Sequence, residues 1–97
     1  MQEKVFDLVS KIPKGKITTY KELASALNSK AYRVIGSTLS KNNQLITIPC
    51  HRVVKSNGLV GDYVGGQSAK IKLLKSEGIE IKEDKVLNFS KYFFSFN

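Results

Sequence analysis

Val5, Leu8, Val9 and Ile12 recur at three- and four-residue spacing, so residues 2–12 read as an amphipathic helix. Pro13 and Gly15 close it, and Ile17-Thr18-Thr19 carries the chain onward. Thr19-Tyr20-Lys21-Glu22 matches a capping box, a threonine three residues before a glutamate. The helix it opens, about residues 20–27, holds Leu23, Ala26 and Leu27, and Asn28-Ser29 breaks it. A second short helix runs from about Lys30 to Leu39 with Ser29 as its N-cap. Two short helices joined by a tight break make a helix-turn-helix pattern.

Further along, Ile46-Thr47-Ile48 is a short β-like run ending at Pro49, and Val53-Val54 continues extended. Ser56-Asn57-Gly58 marks a turn, and Gly61, Gly65 and Gly66 make 57–66 a loop. Residues 68–77 form a last amphipathic helix, with Ala69, Ile71, Leu73 and Leu74 inward and three lysines outward. Gly78 suits its C′ position, and Ile79 to Lys82 alternates like an edge strand. The tail from Phe89 to Phe96 holds four of the five phenylalanines and is expected to pack back on the domain. The pattern predicts one α+β domain, mainly helical, combining a helix-turn-helix with a small β element. Its core spans about 5–81, and 82–97 is a tail.

A chain of 97 residues suits one domain and leaves no room for a second full core. Its 16 Lys+Arg against 8 Asp+Glu give net +8, which points to an acidic partner, nucleic acid before an anionic membrane. One cysteine excludes an intramolecular disulfide and a four-cysteine metal site, and one histidine rules out the usual Cys/His zinc sites. No metal and no cofactor are therefore expected. A lone thiol fits a reducing compartment, hence a cytoplasmic protein, or a nuclear one in a eukaryote. No apolar run approaches the roughly 20 residues that span a bilayer.

The only Cys and the only His are adjacent, in Pro49-Cys50-His51-Arg52. One reading is a buried structural thiol beside a surface histidine. The other is a nucleophile, its thiolate favoured by positive charge from His51 and Arg52. Neighbours on an extended strand point to opposite faces, so a Cys50–His51 contact requires a bent backbone or an intervening water. On the second helix of the pair, Ala31, Gly36 and Ser37 are small enough to let a groove wall approach. Arg33 lies near the helix start, where it can enter a groove. Asn42 follows that helix, as a cap or as a donor to a neighbouring loop. Gly61-Asp62-Tyr63-Val64-Gly65-Gly66 is either a surface loop with a packed tyrosine or a flap over a ligand. Glu77 ends a helix, where the dipole disfavours an anion unless a cationic partner such as His51 offsets it.

Pro49-Cys50-His51-Arg52-Val53-Val54 resembles the active-site signature of the O6-alkylguanine-DNA alkyltransferases, the methylated-DNA–protein-cysteine methyltransferases. The likeness extends from about Val5 to Ile81. Thr19 to Ala24, Arg33-Val34-Ile35-Gly36, Asn42, the 61–66 loop and Ser76-Glu77-Gly78 follow in the family's order. It implies a winged-helix-like catalytic domain that binds double-stranded DNA containing O6-alkylguanine by the minor groove. The damaged base is flipped into a pocket. Cys50 would be the acceptor, alkylated once and not regenerated. His51 would be the base that reaches it through a water, Glu77 the carboxylate orienting His51, and Asn42 the brace of the active-site turn. Arg33 would fill the gap in the base stack, and Tyr20 would assist flipping and hydrogen-bond the purine N3. The carbonyls of Cys50 and Val53 would meet the guanine amino group, with Tyr63, Val64 and Gly65 completing the pocket.

Some positions depart from the family. Val64 stands where some relatives have serine. The chain starts almost at the first catalytic-domain helix, so the amino-terminal domain of many relatives is expected to be missing. A monomer is expected. A related short group, the alkyltransferase-like proteins, replaces the acceptor cysteine and only senses lesions. Cys50 argues against that assignment and the short length argues for it.

Overall fold

The computed structural model describes residues 2–28, 32–42 and 48–96. Helix α1 (Gln2–Val9) is shorter than the pattern suggests. Its end tightens, with Lys11 N–H donating to Leu8 O and Ile12 N–H to Val9 O. Pro13 disfavours the helical state for the residue before it, so the α-helix ends early while Ile12 stays buried.

Strand β1 (Thr18–Thr19) runs directly into α2 (Tyr20–Ala26). Thr19 is extended, and its Oγ1 accepts from Glu22 N–H at 3.0 Å. Only this half of the capping box forms. The Glu22 carboxylate instead accepts from Ser95 Oγ and from Phe96 N–H. Helix α3 (Tyr32–Leu39) follows. Val5, Val9 and Ile12, with Leu23 and Ala24 of α2 and Ile35 and Leu39 of α3, form one buried cluster with Cys50 and Val53. The expected Ser29 cap, the start of the second helix at Lys30 and the β-like run through Thr47 lie outside the described residues.

Cys50–Arg52 is a single 3₁₀ turn, closed by Arg52 N–H to Pro49 O at 3.0 Å. Strand β2 (Val53–Val54) leaves it and pairs in parallel with β1, Thr18 opposite Val53 and Thr19 opposite Val54. The start of α2 and the cysteine turn are thereby placed side by side. Helix α4 (Gln67–Ser76) ends in a Schellman motif: Ile79 N–H donates to Leu74 O, and Gly78 N–H to Lys75 O. Gly78 takes φ +91°, the left-handed value the motif requires.

Reading three lysines of α4 as outward is incorrect for Lys70, which is fully buried. It lies one turn before the buried Leu74 and on the same face, and two backbone carbonyls receive its ammonium.

Strands β3 (Ile81–Lys82) and β4 (Lys85–Val86) form an antiparallel hairpin. Its central residues, Glu83 and Asp84, have φ of +53° and +62°, the type I′ pattern that matches strand twist. After α5 (Phe89–Tyr92) the chain returns alongside β1. Segment 82–96 is thus integral to the packing. Val86 and Tyr92 join Ile17, Val54, Val60, Leu74 and Ile79 in a second buried cluster. The result is the α+β, mainly helical fold read from the sequence, with a helix pair and small β elements. No helix among the described residues is long and apolar enough to cross a membrane.

Candidate active site

A cavity of about 530 Å³ opens between α3 and the 61–64 loop. That is within the range of small-molecule sites. Cys50, 5% exposed, lies in its wall. Tyr20 from α2, Arg33, Gly36 and Ser37 from α3, and Tyr63 and Val64 from the loop also line it. A Cβ on Gly36 would meet nothing within 4 Å, so that face of α3 is open to an incoming group. Gly61 serves the opposite wall. It takes φ +77°, and a Cβ there would stand 3.5 Å from the Tyr20 hydroxyl.

The thiol's surroundings differ from the sequence expectation. Asn42, 3% exposed, donates from Nδ2 to Cys50 Sγ at 3.2 Å and to Ile48 O at 2.9 Å. Burial pushes the Cys50 pKa up, opposed by the Asn42 hydrogen bond and by the positive charge of Lys70. The expected source of that charge, His51 and Arg52, is therefore corrected. Arg52 is committed elsewhere, and burial lowers the His51 pKa so that the ring is neutral.

His51 is fully buried, which removes the surface-histidine reading. Its Nε2 is 3.1 Å from Glu77 Oε2. Burial raises the Glu77 pKa, but hydrogen bonds from Arg52 and His51 outweigh it and hold the carboxyl below its ordinary value. An ionised carboxylate only accepts, so Nε2 carries the proton and Nδ1 keeps a lone pair. Nδ1 has no hydrogen-bond partner among the described residues. The ring is therefore neutral, with its protonated nitrogen toward Glu77. The backbone at Cys50 and His51 is a 3₁₀ turn and not an extended strand.

The sequence marks Arg52 as a source of charge and a supporting residue but does not reveal its partners. Its Nε and Nη2 donate to Glu77 Oε1 and Oε2 at 2.9 and 2.7 Å, and Nη1 donates to Ile12 O at 2.8 Å. This clamp ties the end of α4 to the cysteine turn and to the residues after α1. It also explains how Glu77 tolerates a helix C-terminus.

Lys70 was missed. Its Nζ donates to Val53 O at 2.7 Å and Asp62 O at 3.0 Å, and lies 5.9 Å from the Tyr20 ring centroid. Burial brings its pKa from 10.5 to about 8. Burial, Asp62 and the Cys50 charge push Tyr20 up to about 12, so its hydroxyl stays a donor. The available signal was Lys70, Leu74 and Glu77 at i, i+4 and i+7 on one helical face.

Tyr63 meets His51 edge-on, with centroids 6.2 Å apart. Val53 is fully buried, its carbonyl is taken by Lys70, and neither it nor Gly65 is among the cavity-lining residues. Ala31 lies outside the described residues. No cluster of three or more metal-ligating side chains occurs among the described residues.

Fold and site together define a small helix-turn-helix domain with a cysteine in the wall of a cavity beside its second helix. The family model described as 6-O-methylguanine DNA methyltransferase, DNA binding domain, matches residues 1–79, and the chain belongs to that family. A methylated-DNA–protein-cysteine methyltransferase of Candida glabrata is 42% identical over 98% of this chain and 50% of its own length. One of Saccharolobus islandicus is 48% identical over 81% of this chain and 51% of its own. The chain thus spans about half the length of these relatives.

Among solved structures, S. pombe Atl1 in complex with damaged DNA containing O6-carboxymethylguanine superimposes with a TM-score of 0.86. It is 28% identical, and the match covers 97% of this chain and 94% of that one. Mycobacterium tuberculosis OGT in complex with DNA gives 0.76 at 34% identity, over 78% and 48%.

Proposed function

We propose that this chain repairs O6-alkylguanine in duplex DNA by a single transfer of the alkyl group to Cys50, residues 1–97 acting as one monomeric catalytic and DNA-binding unit. The observation that carries the reading is Cys50 in the wall of a cavity bordered by Arg33, Gly36 and Ser37 of the second helix. Lys and Arg contacts to phosphate supply affinity without reading sequence. Arg33, exposed at the cavity edge, takes the space of the everted guanine, whose loss from the stack costs a few kcal/mol. Tyr20 donates its hydroxyl to the purine N3.

The thiol proton passes through a water to His51 Nδ1, and Glu77 stabilises the imidazolium. Sγ then forms a bond to the alkyl carbon as the carbon–O6 bond breaks. The electron pair stays with the purine, which takes up one proton and becomes guanine. Cys50 ends as a thioether, so each molecule acts once. Neither a metal nor a cofactor enters, and a substrate in chromosomal DNA places the protein inside the cell.

The match to S. pombe Atl1 over nearly both whole chains favours a second reading, a lesion-binding protein that leaves the base unchanged. Cys50 distinguishes the two. Nucleoside analysis of a methylated duplex after incubation decides between them. Transfer restores guanine in proportion to added protein, whereas sensing leaves all O6-methylguanine in place despite tight binding.

A further inference from the structure

Strand β1 is held from both edges. On one side lies β2. On the other, the end of the chain runs parallel to it: Ile17 N–H donates to Tyr92 O at 2.8 Å, and Phe94 N–H donates to Ile17 O at 2.7 Å. Thr18 Oγ1 donates to Phe94 O at 3.0 Å. Past Thr19 and Tyr20, Glu22 Oε2 accepts from Ser95 Oγ at 3.0 Å and from Phe96 N–H at 3.3 Å. Phe94 and Phe96 stack edge-to-face, with centroids 5.3 Å apart, and pack on the core. The terminal segment thus grips residues 17, 18 and 22, and the residues between 18 and 22 include the α2 cap Thr19 and the cavity tyrosine Tyr20.

We propose that residues 92–96 form a strap that positions Tyr20 in the cavity, with Glu22 and Ser95 as its positioning residues. A seven-residue helix cannot hold its own frame in isolation, so its first turn takes its direction from what it is tied to. Glu22 forgoes the reciprocal half of the capping box to make this tie. The strap lies beyond residue 79, where the family match ends. The consequence for repair rests on the role proposed for Tyr20, but the positioning itself does not.

The test uses the full chain with ring-labelled tyrosine, the Tyr20 resonance being assigned with Tyr20→Phe. Glu22→Ala should move that resonance toward the position of free tyrosine, and Glu22→Gln, which keeps an acceptor oxygen, should restore it. Because the Tyr20 hydroxyl would meet the purine N3 of either substrate, methyl transfer from duplex and reaction with free O6-benzylguanine should both fall in Glu22→Ala. Ser95→Ala, which perturbs folding least, should show the same pattern more weakly. An unmoved Tyr20 resonance in both Glu22→Ala and Ser95→Ala, or unchanged rates on both substrates, overturns the proposal. If wild-type protein transfers no methyl, the repair reading fails and the ring resonance still decides the strap.

Discussion

Replacing Lys70 by methionine tests whether a buried ammonium sets the electrostatics of the thiol. The fall in the Lys70 pKa from 10.5 to about 8 corresponds to about 3.4 kcal/mol, at roughly 1.4 kcal/mol per pH unit. Between those pH values the unfolded chain keeps a proton that the folded chain has released. Stability from this group therefore rises with pH across the window and is complete above 10.5. From pH 7 to pH 10 the gain is about 2.5 kcal/mol.

Lys70→Met has no such proton. It also leaves Val53 O and Asp62 O without their ammonium donor, at about 1–3 kcal/mol each. At pH 7 the relief of burying charge offsets much of that loss. At pH 10 it does not. Urea unfolding at both pH values should show the variant's deficit growing by about 2.5 kcal/mol from pH 7 to pH 10. The Lys70 charge also lowers the Cys50 pKa. Alkylation of Cys50 by iodoacetamide at pH 7 should therefore slow in the variant, since loss of a nearby positive charge disfavours the thiolate. A deficit that does not change with pH, together with an unchanged alkylation rate, refutes the reasoning.

Glu77→Gln leaves the Arg52 guanidinium without its anion and should destabilise the fold by about 3 kcal/mol in urea at pH 7. Because the Glu77 pKa is held below its ordinary 4.5, the wild-type advantage is present above that pH and fades as pH falls further. Asn42→Ala removes the donor to Cys50 Sγ and Ile48 O. It should cost about 2 kcal/mol and shift the pH profile of thiol alkylation upward. Arg33 is exposed, so Arg33→Ala should change stability by less than about 0.5 kcal/mol. Its repair of duplex should fall far more than its reaction with a free base analogue, and equal losses would argue against an intercalating role.

Local signals in the chain were read most faithfully. The Thr19 cap, the Gly78 stop and the break after α2 rest on interactions within five residues. The Cys50–His51 pair and its link to Glu77 were legible through the family signature. Interactions closed by distant partners were not. Arg52 beside Cys50 reads as local charge until Glu77 arrives from 25 residues away. Lys70 reads as an outward lysine because amphipathic patterning assigns ammonium groups to water. Only the carbonyls of Val53 and Asp62, brought together by β2 and the following loop, make its burial possible. The Phe-rich end invited the expectation that it packs back. Its register along β1, and the diversion of Glu22 from its own cap, follow from tertiary contacts that no local pattern carries.

The proposed reaction ends with the alkyl group on Cys50. Intact-mass measurement of the protein after incubation with excess O6-methylguanine duplex tests it directly. One added methyl per chain is expected, located on the Cys50 peptide and absent in Cys50→Ala. Protein that binds the duplex and keeps its original mass would contradict it.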